Sequence, residues 1–232
     1  MDVLIYVGDG VIYDGLDYAV RIEERLSAAG LRSARCDLTT LPVEEPRPAR
    51  AYVFTGGETS VHSDAQWMRS ATDTARRLVA NADRRDYSVI GICLGSQILA
   101  EALRPHSIVP SAAIEVGLTA VTRVEDEQVK QVVPSFHYQA ISPEIRSVAG
   151  ACIEWRNAHA AVQAFRYGQR TIGYQFHPEL SAADVHNLID HQESVITRWQ
   201  GDVAAAHRSV DRNINALSAG LFRRMVIDRI LG

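Results

Sequence analysis

The sequence predicts an α/β protein: three layers with a mostly parallel central sheet, helices on both faces, and an extra helix at the C-terminus. Three observations lead there. Short apolar runs alternate with segments of helical periodicity through the first half of the chain, the order that builds a parallel sheet covered by crossover helices. A cysteine flanked by glycines, Gly91-Ile-Cys93-Leu-Gly95, stands between one such run and one such helical segment. The second half changes texture into closely spaced strand-like segments, which continue the sheet by antiparallel or mixed pairing before the chain turns helical again.

The elements follow in order. Val3–Val7 reads as a strand, Leu16–Ala29 as a helix ended by Gly30, and Ser33–Leu38 as a second strand. Residues 41–48, with three prolines, form a loop. Ala51–Thr55 is a third strand, Asp64–Ala80 a helix capped by Asp64, and Ser88–Ile92 a fourth strand running into a helix from Gln97 to Leu103. Glu115–Val124, Gln131–Phe136, Val148–Trp155, Ala161–Tyr167 and Arg170–Phe176 are strand-like, with Glu125-Asp-Glu127 a solvated turn. A helix is expected from Ser181 to Trp199, a break at Gly201-Asp202, and a last helix from about Ala204 to Leu231. On that helix Val210, Ile214, Leu217 and Leu221 make one stripe, which packs on the chain's own core or on a second copy as a homodimer. The expected organisation is a domain over residues 1–200 and a helical extension over 201–232.

Composition narrows the function. The 232 residues are 47% hydrophobic and 22% charged, ordinary for a globular protein with a sizeable core. A net charge of −4 gives no basic footprint, so nucleic acid is not an expected ligand. Three cysteines (Cys36, Cys93, Cys152) are too few and too scattered for a disulfide framework or metal-ligand spacing, and suit reduced thiols in the cytoplasm. No metal or cofactor is expected. No apolar run approaches the ~20 residues of a membrane span, and the start of the chain lacks the basic segment of a signal sequence.

The chemistry centres on Cys93. A nucleophile between a strand and a helix, with glycines two residues to either side, is the thiol counterpart of the serine elbow: only small neighbours let strand and helix approach closely enough to lift the sulfur into the open. The following helix N-terminus favours a thiolate and offers N–H groups to an oxyanion. Three further segments belong with it: Thr55-Gly56-Gly57-Glu58 after the third strand, Ser135-Phe136-His137-Tyr-Gln139, and Tyr174-Gln-Phe-His177-Pro-Glu179 at the end of the last strand.

With these motifs in this order, the chain resembles a class I (triad-type) glutamine amidotransferase domain from residue 3 to about 180. Val162–Gly168 ahead of the His-Pro-Glu segment is most similar to the stand-alone, GMP-synthase-like branch. The resemblance implies a flavodoxin-like fold. It also implies roles: Cys93 as nucleophile, His177 as base and acid, and Glu179 as the carboxylate that orients His177. The oxyanion donors would be the N–H groups of Gly57 and Leu94, and substrate would be held by Gly56, Gln97, Ser135, Phe136 and His137. His137 can equally be a structural histidine. One departure stands out: Arg104-Pro-His-Ser-Ile-Val109 replaces a glycine-containing element common in the family.

The implied reaction is hydrolysis of the glutamine side-chain amide through a cysteinyl thioester, giving glutamate and ammonia. No phosphate-cradling loop or acceptor-activating module is present, so a separate synthetase partner is expected to use the ammonia. An alternative is a self-sufficient γ-glutamyl hydrolase with the same three residues. A non-catalytic regulatory protein that keeps the fold is the third.

Overall fold

A computed structural model of the chain describes residues 1–10, 16–40 and 47–232, so most of the loop expected at 41–48 lies outside the described residues. Nine strands form one sheet in the order β2-β1-β3-β4-β9-β8-β7-β5-β6. The first four are β1 (Val3–Val7), β2 (Ser33–Asp37), β3 (Ala51–Phe54) and β4 (Ser88–Ile92). The rest are β5 (Ile108–Arg123), β6 (Lys130–Ile141), β7 (Ala151–Arg156), β8 (Ala164–Tyr167) and β9 (Thr171–Tyr174).

The sheet corrects one expectation: it is mixed rather than mostly parallel. Strands β2, β1, β3, β4 and β9 run parallel. The pairs β9–β8, β8–β7, β7–β5 and β5–β6 are antiparallel. The reason is topological. Among the described residues no helix stands between β5 and β6 or between β8 and β9, and a parallel neighbour needs such a crossover.

Alternation along each central strand sorts side chains into the two faces. Val3 and Ile5 of β1 pack on Ala19, Ile22 and Leu26 of α1 (Tyr18–Ala28). Leu4 and Tyr6 face the other way, onto Met68, Ala71, Ala75 and Leu78 of α2 (Gln66–Val79). Two short elements follow, α3 (Ala82–Arg85) and then α4 (Leu94–Leu103), which is buried along nearly its whole length on the α2 side. Helix α1 starts on Asp17, whose carboxylate accepts from Ala19 and Val20 N–H. Asp64 does not cap α2; that helix begins at Gln66 without a side-chain cap.

The C-terminal third departs from two long helices. The first divides at Gln192 into α5 (Ala182–His191) and α6 (Glu193–Arg198), and α5 opens with a capping box between Ser181 and Asp184. The second divides into α7 (Val203–Asn213), a turn through Ser218-Ala219-Gly220, a π-helical stretch Arg223–Ile227 and α8 (Asp228–Leu231). The expected stripe is therefore interrupted: Val210 and Leu221 are buried, but Ile214 is exposed. Leu221, Phe222, Val226, Ile227 and Ile230 join the core on the α1 face, and the Tyr174 hydroxyl donates to the Met225 carbonyl at 2.7 Å. A third core unites α5, α6 and α7 with Ile114 and Leu118 of β5. Among the described residues no helix is long and apolar enough to cross a membrane.

Candidate active site

Cys93 occupies the single residue between β4 and α4, with φ 50° and ψ −109°. Such a conformation costs a non-glycine residue about 1–3 kcal/mol and persists only where neighbours enforce it. Here they do. The Cys93 N–H donates to the Tyr174 carbonyl at 2.7 Å, the Gly95 N–H to the Thr55 carbonyl at 3.0 Å, and the Cys93 carbonyl accepts from the Ser96 hydroxyl at 2.7 Å. A Cβ on Gly91 would meet the Gly95 carbonyl oxygen at 2.5 Å, and one on Gly95 would overlap the Phe54 backbone. The two glycines are what let β3, β4 and α4 converge at this turn.

His177 follows β9, the strand paired with β4, so sheet order alone carries it to the cysteine. Its Nδ1 lies 2.7 Å from Glu179 Oε1, and both side chains are sealed from solvent. Tyr18 stacks on the ring at 4.7 Å between centroids, and a Cβ on Gly56 would sit 2.8 Å from Cε1. Cys93 lines the same cavity as this ring. Burial by itself pushes the imidazole pKa down, but Glu179 and then Cys93 outweigh it and raise His177 to about 10.

These groups open onto a cavity of about 360 Å³. Of the residues singled out in the sequence, Gly57, Cys93, Leu94, Gln97, Phe136, His137 and His177 line it. Gly56, Ser135 and Glu179 stand behind its wall. The Phe136 carbonyl accepts from the Cys93 thiol at 3.6 Å, and Gln97 Nε2 donates to the Gln139 carbonyl at 3.4 Å. The Ser135 hydroxyl bonds to that of Thr119 at 2.8 Å. Gly57 is gripped: a Cβ there would strike Leu94 Cδ2 at 2.5 Å and Asp9 Oδ1 at 2.7 Å.

His137 belongs to a buried polar cluster. Its Nε2 is 3.3 Å from Glu115 Oε2, and both ring nitrogens are closed off from the cavity by neighbouring atoms. Asn157 and Gln163 each donate to the Glu115 carboxylate at 2.6 Å. Burial would raise the Glu115 pKa, but His137 and then Asn157 and Thr119 hold it down at about 2. A depressed carboxylate stabilises the fold above its unfolded pKa of 4.5 and loses that contribution as pH falls toward about 2. Urea unfolding of Glu115→Gln should therefore show a loss of roughly 3 kcal/mol at pH 7 and a flatter response across that acid window.

The roof of the cavity was not legible from motifs. Leu188, Gln192, Val195, Arg198 and Trp199 come from α5, the break after it, α6 and the residue that follows. Trp199 stacks on Tyr138 with centroids 4.8 Å apart, and the Tyr138 hydroxyl donates to the Glu58 carbonyl at 3.2 Å. Tyr18 was likewise missed. Only its place in the first turn of a helix after the first strand hinted at it.

Comparison with known proteins gives the family. The model of the family described as "Glutamine amidotransferase class-I" matches residues 16–191. The chain is 30% identical over 174 residues to a glutamine-hydrolyzing GMP synthase subunit of Sulfolobus acidocaldarius, covering 73% of this chain and 88% of the relative. It is 31% identical to the corresponding protein of Sulfurisphaera tokodaii at the same coverage. A glutamine amidotransferase structure from Thermotoga maritima shares the fold over the full length of both chains, at 19% identity and a TM-score of 0.75. One from Methylobacillus flagellatus does so over 99% of this chain and 88% of its own, at 22% identity and 0.62. The chain belongs to the class-I glutamine amidotransferase family.

Proposed function

We propose that the chain is a glutaminase, hydrolysing the glutamine side-chain amide to glutamate and ammonia, with Cys93 as nucleophile, His177 as base and acid, and Glu179 orienting His177. The observation that carries this reading is the meeting at one cavity of the Cys93 turn with His177, whose ring is held 2.7 Å from Glu179. Cys93 attacks the amide carbon, and the oxygen takes negative charge. The N–H groups of Leu94 and Gly57 are suited to receive it, since among the described residues neither donates to another protein group. A protonated His177 gives its proton to the departing ammonia, then draws one from the water that cleaves the thioester.

The His177 pKa sets a pH limit. Because the imidazolium is favoured up to about 10, kcat/KM should hold through neutrality and fall as pH rises through that value. Glu179→Gln removes the first of the two charges raising the pKa, so its alkaline limb should move to lower pH; a pH–rate profile checks both.

The relatives named as parts of a glutamine-hydrolyzing GMP synthase support a further step, in which ammonia passes to a separate synthetase partner. A second reading, a γ-glutamyl hydrolase, is favoured by the roof: Leu188, Val195, Tyr138 and Trp199 give room and apolar surface for a larger leaving amine. Turnover of glutamine against a γ-glutamyl amide panel by the isolated chain, repeated with a candidate synthetase, separates the two. Glutamine turnover that rises with the synthetase supports the first; efficient γ-glutamyl amide cleavage with poor glutamine turnover supports the second.

A further inference from the structure

We infer that Asp9 is a positioning residue for the loop that carries the Gly57 N–H, acting through a latch to Thr59; the inference rests on the glutaminase reading above. Asp9 stands just past β1 between Gly8 and Gly10. Its Oδ1 accepts from the Thr59 N–H at 3.3 Å, and its Oδ2 accepts from the Thr59 hydroxyl. The same Oδ1 lies 2.7 Å from the point a Gly57 Cβ would occupy, with Leu94 on that point's other side. One carboxylate thus closes the loop at residue 59 and stands beside it at residue 57. The Gly8 N–H adds a tie to the Thr55 hydroxyl at 3.2 Å, where the loop begins.

The need for such a latch follows from the loop itself. Gly56 and Gly57 are consecutive, and glycine has the largest backbone freedom to lose. A donor aimed at developing charge must be in place beforehand, because reorganising it during the reaction forfeits the stabilisation. Glycine at residue 57 has no side chain of its own to pack, so rigidity has to come from elsewhere. Asp9 itself is not among the residues lining the cavity. Its effect therefore reaches the reaction only through the loop, and should fall on kcat rather than on the reactivity of the Cys93 sulfur.

The test is a mutant cycle on the full chain, reading glutamine kcat and KM, the rate at which iodoacetamide alkylates Cys93, and thermal stability. Asp9→Ala and Thr59→Val should each lower kcat by about 10-fold or more, short of the 10²–10³ typical when a whole donor is removed. KM and the alkylation rate should stay within about threefold, since neither reports the loop donor. The double variant should be no worse than the poorer single one, and Thr59→Ser, which keeps the hydroxyl, should recover most of the loss. Should Asp9→Ala fold poorly, the near-isosteric Thr59→Val carries the comparison. An unchanged kcat, a matching fall in alkylation, or additive losses in the double variant overturn the inference while the glutaminase reading stands. A wild-type chain that alkylates normally but turns over no glutamine, alone or with the candidate synthetase, overturns that reading, and this inference with it.

Discussion

Cys93→Ala is expected to abolish glutamine hydrolysis, lowering kcat by ~10⁴-fold or more, with little change in thermal stability. The loss is large because no other group among the described cavity residues is a thiol, and the remaining machinery has nothing to attack with. The stability side follows from the backbone. Cys93 holds φ at 50°, where a side chain is strained, and the turn is fixed by hydrogen bonds from its main chain rather than its sulfur. Cys93→Gly should then be at least as stable as wild type, since glycine adopts that conformation without penalty. An inactive variant that melts higher than its parent would show that strain is stored at this residue for chemistry. Circular dichroism melts beside an ammonia-release assay check both halves.

Gly95→Ala should have the largest effect on the fold. A Cβ there would fall 2.6 Å from the Phe54 carbonyl carbon and 2.8 Å from its Cβ, atoms of a central buried strand that cannot yield. Relief would require α4 to lift away from β3, opening the core that Phe54, Leu94 and Ile98 share. Overpacking of a rigid site costs about 1–3 kcal/mol or more, and here the obstacle is backbone, so the upper end or beyond is expected. Gly30→Ala makes the useful contrast. Nothing lies within 4 Å of a Cβ there, but φ is 76°, so only the conformational penalty of roughly 1 kcal/mol applies. Equal destabilisation of the two variants, measured by urea unfolding, would contradict the packing account.

Much of the candidate site was legible because its residues sit where local sequence dictates geometry. Gly91 and Gly95 announce a close strand–helix approach, and Cys93 is the only residue that approach can present. His177 was legible as the residue ending a strand, although its arrival beside Cys93 depends on β9 pairing with β4, a long-range choice. The parallel half of the sheet followed from its alternation with helices. The antiparallel pairing of the second half also followed from its closely spaced strands, but the order in which they pair did not, because strands such as β5 and β7 are only half-buried and their neighbours lie far off in sequence. The C-terminal helices misled for a related reason. Val210, Ile214, Leu217 and Leu221 keep helical spacing, yet Ser218-Ala219-Gly220 turns the chain so that Leu221 enters the α1-face core. The roof residues Gln192, Arg198 and Trp199 carry no local signal; tertiary packing alone assembles them over the thiol.

Central to this mechanism is a covalent bond between Cys93 and the side-chain carbonyl carbon of glutamine. Intact-protein mass spectrometry after incubation with 6-diazo-5-oxo-norleucine, followed by peptide mapping, tests it most directly. The expected result is one adduct per chain, located on Cys93, slowed by excess glutamine and absent in Cys93→Ala. Labelling that falls on Cys36 or Cys152 instead, or that glutamine does not slow, would contradict it.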